Sequence, residues 1–492
     1  MNETDAVDPK KVQKWEKSLA SAHKKHEAFV ERCVNVATET REEKLMAVSK
    51  FYTKNQLAVL MSSAEWELIT SNPSANVSFR ILGDTQIVAN VPILLNFVEN
   101  DSTESGVCLI TGKKGAIVRK STPTPIPGCN ASASLVSFQE DSGYDSYGKV
   151  KAYNAPISLE AEFAFSTAFK HLKEPNSKNK FLINDRLYVF FASDKTEESE
   201  QIEDFLFCIF GKSNDPNSNI KSLRKKIRTI YSGKKYTSDA TYFYIIGIAP
   251  NLGREAVVYY SEIQLSKFAK MLDKHFEDME IYAPQWEKPY FGLFEMLRSV
   301  TLNGDIKKNC PSNLPDAIVK SIFQGLPYPA SLYQSCIRRI RAEQDVAPYG
   351  NPCRVAIIKA YLNRLNDNNT KIQVMLDKEN NNQGYLCGRL FAVLENLQYA
   401  ANKQDTIRAS YMNAASSTPA AVFSTILKLS NSHYGKLAKD KKGLAMYFDN
   451  QKEEIIAMLQ DFPETLDLQD QGRFFLGYYH QKNYKENKET EE

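Results

Sequence analysis

Hydrophobic positions recur every three or four residues near the start of the chain and again through its last third, a spacing typical of amphipathic helices. The first such stretch covers residues 8–50. Ser158 is a suitable N-cap for a later helix because two glutamates follow it in the first turn. The predicted helices are 8–50, 158–171, 261–277 and several beyond residue 313, one of which begins at Pro419.

Alternating hydrophobic and polar positions predict β-strands in the front part of the chain. These are 77–81, 86–91, 107–110, 187–192, 242–248 and 256–260. Segment 121–143 is rich in Pro, Ser, Gly and Asn and predicts irregular backbone. The whole pattern predicts an α+β fold, with a mixed α/β N-terminal two-thirds followed by an all-helical C-terminal bundle.

A chain of 492 residues exceeds the size that one hydrophobic core usually organises, so several domains are expected. We predict an α+β domain over 1–312 that makes the nucleic-acid and complex contacts. A helical connector over 313–374 and a C-terminal helical bundle over 375–485 follow, and 486–492 is a disordered tail.

The composition indicates a globular protein, but it does not indicate which partner the protein binds. The chain is 42% hydrophobic and 25% charged, as in globular proteins, and its formal net charge is only +3. A polyanion partner would therefore depend on local clustering of cations. Neither a signal peptide nor a membrane-length apolar run is present. The eight scattered cysteines fit reduced thiols, so a cytoplasmic location without membrane contact is expected.

The motifs of common enzyme chemistry are missing from the sequence. No phosphate loop, zinc-protease helix, nucleophile elbow or dinucleotide fingerprint occurs, and 112–115 predicts a turn that carries two lysines. His23 and His26 lie three positions apart but lack a third ligand nearby, so they are interpreted as solvated residues. We therefore expect a protein that is not an enzyme and needs neither a metal ion nor another cofactor.

The strongest basic cluster follows residue 211. Four of its members would lie on one face of a helix, because they are separated by three or four positions: Lys221, Arg224, Lys225 and Arg228. Like charges on one helix face repel each other, and a bound polyanion would offset this repulsion. The alternative interpretation is a solvated helix facing the acidic stretch 194–204. The candidate nucleic-acid contacts are Lys221, Arg224, Lys225, Lys226, Arg228, Lys234 and Lys235.

Two further sets extend the candidate interface. Arginines 338, 339 and 341 suit bidentate phosphate contacts, although arginine clusters are equally common between protein subunits. A Pro-rich loop and the residues before it place cations beside Ser and Asn, a combination that suits phosphate contacts and groove edges. The residues are Arg338, Arg339 and Arg341 in the first set, and Lys113, Lys114, Arg119, Lys120, Asn130, Ser132 and Ser134 in the second.

Several segments, taken in order, resemble one family. Asn130-Ala-Ser-Ala-Ser-Leu-Val-Ser-Phe138, Asp145-Ser-Tyr-Gly-Lys149 and Tyr153-Asn-Ala-Pro-Ile-Ser158 are similar to the hallmark block of the large subunit of the type I-C CRISPR surveillance complex (Cascade). Further matches are Gly247-Ile-Ala-Pro-Asn251 with Arg254, Tyr328-Pro with Arg338-Arg-Ile-Arg341, Gly384-Tyr-Leu-Cys-Gly-Arg-Leu-Phe-Ala392 and Gln471-Gly-Arg-Phe-Phe-Leu-Gly-Tyr-Tyr-His480. The resemblance covers roughly 10–482. Family members usually carry a segment ahead of the region that begins here, so this sequence is expected either to start late or to be a shortened version. If the missing segment helps to recognise the flanking motif, that role would not be carried by this sequence.

The resemblance implies a non-catalytic subunit of a complex that is guided by crRNA. Such a subunit helps to recognise a short motif beside the target, opens the DNA duplex, holds the displaced strand and docks the helicase-nuclease. Its partners would be crRNA, target DNA and the other type I-C Cascade subunits. Base pairing with the guide would supply most of the sequence specificity, as in another RNA-guided effector. An independent RNA-binding or assembly protein is the alternative, and a nuclease is a third possibility that no carboxylate cluster supports.

In this family the C-terminal helical part can also be made separately as a small subunit from an internal start codon. Met375 is the candidate start here. The alternative is that it is an ordinary internal residue and not a translation start, as most internal methionines are. The aromatic and glycine-containing C-terminal blocks are interpreted as core packing of a helical bundle. The cations predicted on its solvent side, facing the displaced strand, are Arg389, Arg408, Lys428, Lys436 and Arg473.

Overall fold

The computed structural model describes residues 9–54, 56–63, 66–71, 77–94, 104–140, 143, 147–183, 185–210, 217–232, 240–251, 254–282, 291–344, 352–365, 371–404 and 406–483. The chain divides into two compact units. The first contains Met1–Thr122 and Val136–Phe165, and the second contains Pro123–Leu135 and Ser166–Glu492. The functional division predicted near residues 312 and 374 therefore falls inside the second unit and stays a prediction. The predicted tail lies outside the described residues.

The first unit begins with helices and has a small core of its own. They are α1 (Pro9–Thr40), α2 (Glu43–Thr53), α3 (Gln56–Met61) and α4 (Trp66–Thr70). The helix predicted over 8–50 is thus two helices, because Arg41 takes a left-handed conformation with φ of 53° and interrupts the hydrogen-bond ladder. Ala37, Leu45 and Val48 form the buried contact where α1 meets α2.

The strands predicted over 77–91 are wrong. This region forms one isolated bridge, between Arg80 and Ile87, and a short 3-10 turn at Val88–Asn90. Its apolar side chains, including Phe79, pack on the small helical core. The same alternating pattern thus buries its hydrophobic residues on helices and not in a sheet.

A short hairpin follows in the first unit. Strand β1 (Ser105–Val107) pairs antiparallel with β2 (Lys114–Ala116). The strand predicted over 107–110 is therefore also wrong, because β1 ends where the chain begins to turn. Gly112 has φ of 69° at the end of this turn. The turn predicted at 112–115 therefore lies slightly earlier in the chain, because Lys114 and Gly115 already belong to β2.

The second unit is built around a four-stranded antiparallel sheet in the order β3-β4-β5-β6. Its strands are β3 (Lys180–Ile183), β4 (Arg186–Ala192), β5 (Tyr242–Asn251) and β6 (Arg254–Gln264). Three of these strands were predicted, but β6 runs four residues into the segment predicted as helix. The reason is register, since Tyr242 pairs with Gln264 and the long β5 needs a partner along its whole length.

Gly247 has a steric role in this sheet. A β-carbon at this position would lie 2.7 Å from Cε1 of Tyr188 and 2.9 Å from Cβ of Tyr259. The residue also marks a bulge in the pairing of β5 with β6. Gly247, the first residue of a segment that resembles the family, therefore makes room for two aromatic side chains.

Helices cover the sheet, and its apolar residues are buried in a large core and in a smaller separate cluster that contains Leu187, Val189 and Ile248. Helix α5 is capped as predicted, because the amide of Ala161 donates to Ser158 Oγ at 3.3 Å. The helices on this part of the chain are α5 (Leu159–Leu172), α6 (Glu197–Phe210), α7 (Asn217–Ser232), α8 (Leu265–Met279), α9 (Leu293–Val300) and α10 (Ile306–Asn309). Phe205, Phe243 and Phe268 are fully buried members of this core.

From residue 314 onward the described chain is helical, as predicted. The helices are α11 (Leu314–Gln324), α12 (Ala330–Glu343), α13 (Pro352–Leu365), α14 (Gln383–Asn402), α15 (Thr406–Ala415), α16 (Pro419–Asp440), α17 (Lys442–Met458) and α18 (Leu468–Asn483). Their buried residues continue the same core as the sheet. The α+β class is therefore confirmed.

Helices α14 and α18 approach each other through glycines. A β-carbon at Gly388 would lie 1.9 Å from the carbonyl oxygen of Phe474, and one at Gly477 would lie 2.1 Å from that of Tyr385. Backbone cannot yield as a flexible side-chain end can. The two C-terminal signature blocks are therefore sites of close helix packing, which confirms their interpretation as core.

We expect Gly388→Ala to destabilise the second unit by about 2 kcal/mol or more, because overpacking outweighs the roughly 1 kcal/mol gain in helix propensity. The measurement is thermal unfolding of the full chain. Gly435→Ala on α16 is the matched control, since no atom lies within 4 Å of its added carbon. Equal melting temperatures for the two variants would contradict the close contact.

Candidate nucleic-acid interface

Helix α7 turns part of its predicted binding face inward. Arg224 Nε donates to Asp273 Oδ1 at 3.0 Å, and Arg228 Nε donates to Asp273 Oδ2 at 2.8 Å. Arg228 also pairs with Glu277 at 3.1 Å. Arg224 is therefore buried in an internal ion pair, whereas the side chain of Arg228 pairs with the same carboxylate and is still 48% exposed. The contact of these arginines with a polyanion stays a prediction. The acidic stretch 194–204 is not their partner, since both acceptors belong to α8.

Asp273 is the centre of this ion-pair network. Its carboxylate is buried, which by itself would raise its pKa, yet the bonds from Tyr231, Arg228 and Arg224 hold the pKa below its usual range. Burial, together with the hydrogen bond to the Asp273 carboxylate, raises the pKa of Tyr231 to about 12. A charged Asp273 with three donors explains why the two arginines are held between helices.

Lys225 and Lys226 remain exposed on the other side of α7. They share this face with Ser222 and Thr229, so the solvent face is turned by about a quarter of the helix from the one that spacing predicted. Lys234, Lys235 and the side chain of Lys221 lie outside the described residues. Of the seven predicted contacts in this cluster, Lys225, Lys226 and Arg228 are therefore at the surface.

The arginines of α12 are mostly engaged with the protein itself. Arg339 and Arg354 both pair with Glu343, and these bonds hold the pKa of Glu343 below its usual range although burial opposes them. Arg341 reaches the carbonyl oxygen of Asn413 at 3.5 Å. Arg338 is exposed and donates to a neighbouring serine on its own helix. Of the three arginines predicted to bind phosphate on α12, Arg338 is the one whose side chain is exposed.

Arg389 is buried, with 1% of its surface exposed. It donates to Gln481 Oε1 at 3.1 Å and to Glu454 Oε1 at 3.3 Å. The prediction that it lies on the solvent side is wrong, because α14 is surrounded by other helices. A guanidinium in that position needs internal acceptors.

Glu395 is a second buried charge on α14. Arg408 lies 3.5 Å from one of its oxygens and Lys482 lies 2.8 Å from the other. Arg473 is likewise paired, with Asp470 at 2.7 Å. Arg408 and Arg473 are thus partly buried partners of carboxylates, and their predicted contact with the displaced strand stays a prediction.

Lys428 and Lys436 are exposed, as predicted, and further lysines lie with them on or beside α16. We call this set the bundle lysine surface. Its members are Lys403, Lys428, Lys436, Lys439, Lys441 and Lys442, all exposed. None of the six makes an ion pair with another described residue, and Asp440 is the acidic residue in the same stretch.

An exposed aromatic ring adjoins the bundle lysine surface. The Nζ atom of Lys403 lies 5.4 Å from the ring centre of Tyr399, a side chain that is 54% exposed. Lys436 Nζ donates to Oδ1 of Asn402 at 2.9 Å, which brings α16 to the end of α14. Rings beside cations suit stacking of unpaired bases. Sequence patterns did not identify Tyr399 and Lys403, because their exposure depends on where α14 ends.

The loop candidates fall in both units. Lys113, Lys114, Arg119 and Lys120 are exposed on and after the hairpin of the first unit, and Asn130 and Ser132 are exposed in the second. We call the first four the hairpin basic cluster. Ser134 is buried, so the prediction that it contacts nucleic acid is wrong. The exposed cations are consistent with a surface that binds phosphates.

Two features of other protein classes were sought among the described residues. No three His, Cys, Asp or Glu side chains converge there to hold a metal ion. No described helix combines the length and the apolar character that crossing a membrane requires.

A comparison with protein families gives one match over most of the chain. Residues 6–484 match the family described as CRISPR-associated protein (Cas_Csd1). A search of curated individual proteins gives no match. The family match spans both compact units.

Proposed function

Since the chain belongs to the Cas_Csd1 family, the large Cascade subunits of type I-C CRISPR systems, we propose that its exposed lysines bind target DNA as part of the crRNA-guided complex. The observation that carries this proposal is the bundle lysine surface, six exposed cations that make no ion pair with another described residue. Lysines held this way contact phosphates without reading sequence, while the hybridised guide selects the target.

The proposed role has several parts. The subunit assists recognition of the flanking motif and opening of the duplex, and it holds the displaced strand on the helical bundle. It also helps to recruit the helicase-nuclease in antiviral defence. Its own contribution is binding and not catalysis. Cleavage of target DNA by the purified chain with divalent metal would contradict this last point.

The structure favours the displaced strand as the ligand of the bundle. A single strand exposes bases that can stack, and Tyr399 offers a ring beside Lys403. A duplex would use the lysines but not the ring. The hairpin basic cluster, with Lys225 and Lys226, would contact other segments of the nucleic acid by charge alone.

We expect Lys428→Glu with Lys436→Glu to weaken target-DNA binding by the assembled complex roughly tenfold or more at about 0.1 M salt, because two attractive contacts become repulsive. The measurement is equilibrium binding of a matched duplex target. Lys267→Glu with Lys270→Glu is the matched control, since these are exposed lysines of helix α8 in the same unit.

The composition of the variant complex distinguishes the alternatives. If the complex assembles with crRNA and only DNA capture is lost, the proposal holds. If crRNA itself is lost, an RNA-binding or assembly role replaces it. If a complex without the chain captures DNA normally with its flanking-motif dependence intact, the proposal is wrong.

Met375 is a proposed internal start for a separate small subunit. It is exposed in the segment that leads into α14. A product that begins here keeps α14 to α18 with their glycine contact. It loses the bonds from Tyr333 to Leu468 and from Tyr479 to Tyr282. Such a product would therefore present to its partners a face that the full chain covers.

We expect Met375→Leu to abolish a short C-terminal product in cells that express the whole reading frame, because an initiator codon is removed. The full-length chain should keep its melting temperature, since the side chain is at the surface. Immunoblotting with an antibody against the last helix measures both products. Persistence of the same short product would show that it arises by proteolysis or from another start.

A further inference from the structure

A cavity of about 620 Å³ lies in the second unit, and none of the lysines discussed above lines it. It is bounded by the loop at Pro125 and Pro127, the end of helix α5, strands β3 and β4 and helices α6 and α9. Its size is ample for one small ligand.

Three lysines and no acidic residue line this cavity. Lys170 is exposed and makes no ion pair with a described residue. Lys173 Nζ donates to the carbonyl oxygen of Pro125 at 2.6 Å, and Lys180 Nζ donates to that of Lys173 at 2.8 Å. The backbone thus fixes two of the three ammonium groups at the cavity. Each ammonium has three protons, and these carbonyl bonds leave donors for a ligand.

The charge of these lysines is only partly offset. Burial lowers the pKa of Lys173, and the carboxylate of Glu255 counteracts this shift. Burial in turn raises the pKa of Glu255, whose carboxylate accepts a bond from Thr124 at 3.2 Å. Burial also lowers the pKa of Lys180, against the nearby charge of Glu174. A bound anion would replace the lost solvation of both ammonium groups.

The remaining wall of the cavity is aromatic. Phe181 and Phe210 stack on each other with ring centres 4.6 Å apart, so their faces are occupied. Phe207 and Phe294 are half-buried, and neither makes a ring contact with another described residue. These two rings therefore offer a planar apolar surface beside the lysines.

We propose that this cavity binds one unstacked nucleotide, with its base against Phe207 and Phe294 and its phosphate between Lys170 and Lys173. The combination of rings and cations carries the assignment. A bare phosphate would leave the rings unused, and an uncharged apolar ligand would leave the remaining N–H donors of the ammonium groups unsatisfied. This inference rests on the proposed function, because an extended nucleic-acid strand is the source of such a nucleotide.

The test is isothermal titration of the full chain with mononucleotides near neutral pH. We expect dAMP or AMP to bind at least about tenfold more tightly than either deoxyadenosine or inorganic phosphate. A preference for AMP would indicate guide RNA as the source, and a preference for dAMP would indicate DNA. The inference fails if phosphate binds as tightly as the nucleotides, or if the peptide acetyl-Asp-Phe-Asp-amide binds more tightly.

Two variants locate the binding. Lys170→Glu should weaken nucleotide binding about tenfold, and Phe207→Leu should weaken binding of nucleotides while leaving that of phosphate unchanged. Lys178→Glu is the control, because that exposed lysine pairs with Asp204 and does not line the cavity. Equal effects of Lys170→Glu and Lys178→Glu, or no effect of Phe207→Leu, would overturn the assignment.

The outcome separates this inference from the proposed function. A chain that binds no mononucleotide but remains essential for target capture would refute the cavity alone. If the chain binds nucleotides in the cavity, but a complex that lacks the chain still captures DNA, only the proposed function would be refuted.

Discussion

A guanidinium group that leaves water must find acceptors for its donors, and this constraint organises the second unit of the chain. Arg364 shows it most completely. Its Nε donates to Asp278 at 2.7 Å, and its Nη1 donates to the carbonyl oxygens of Ser321 and Leu326. One side chain thereby ties α13 to α8 and to the end of α11. Removing one partner of such a buried pair typically costs about 3–5 kcal/mol.

The same constraint separates the two kinds of cation in this protein. Arginine presents a planar fork that satisfies several acceptors at once, and lysine is a strongly hydrated point charge. Arg224, Arg354 and Arg389 are accordingly buried with carboxylates or carbonyl oxygens. The bundle lysine surface is exposed. These three arginines join neighbouring helices.

The close contact of α14 with α18 at their glycines helps to position the exposed lysines of the bundle. Because the backbones touch at Gly388 and Gly477, the two helices have a fixed relative position. Helix α16 packs on α14 and is joined to its end through Asn402. Tyr399, Lys403 and Lys436 are thus positioned by packed helices. A binding surface built in this way is defined more closely than one on a loop.

The sequence predicted the helical back third, three strands of the main sheet and the cap at Ser158, because these depend on local periodicity and local hydrogen bonds. It predicted wrongly that 77–91 forms strands, since alternation does not say whether a helix or a strand will cover an apolar face. It also could not separate Arg224 from Lys225. Both are cations at helical spacing, and their different exposure is decided by Asp273, 48 positions beyond Lys225. The predicted surface lysines 428 and 436 were correct in exposure, and their binding role stays a prediction.

The most direct test of the account is the salt dependence of target-DNA binding by the assembled complex. The comparison is between the natural chain and a variant in which Lys428, Lys436 and Lys439 are changed to Gln. If these lysines neutralise phosphates of a single strand, the slope of log K against log salt should become shallower by about 0.7 for each contact, or about 2 in total. An unchanged slope would show that these side chains do not contact the nucleic acid.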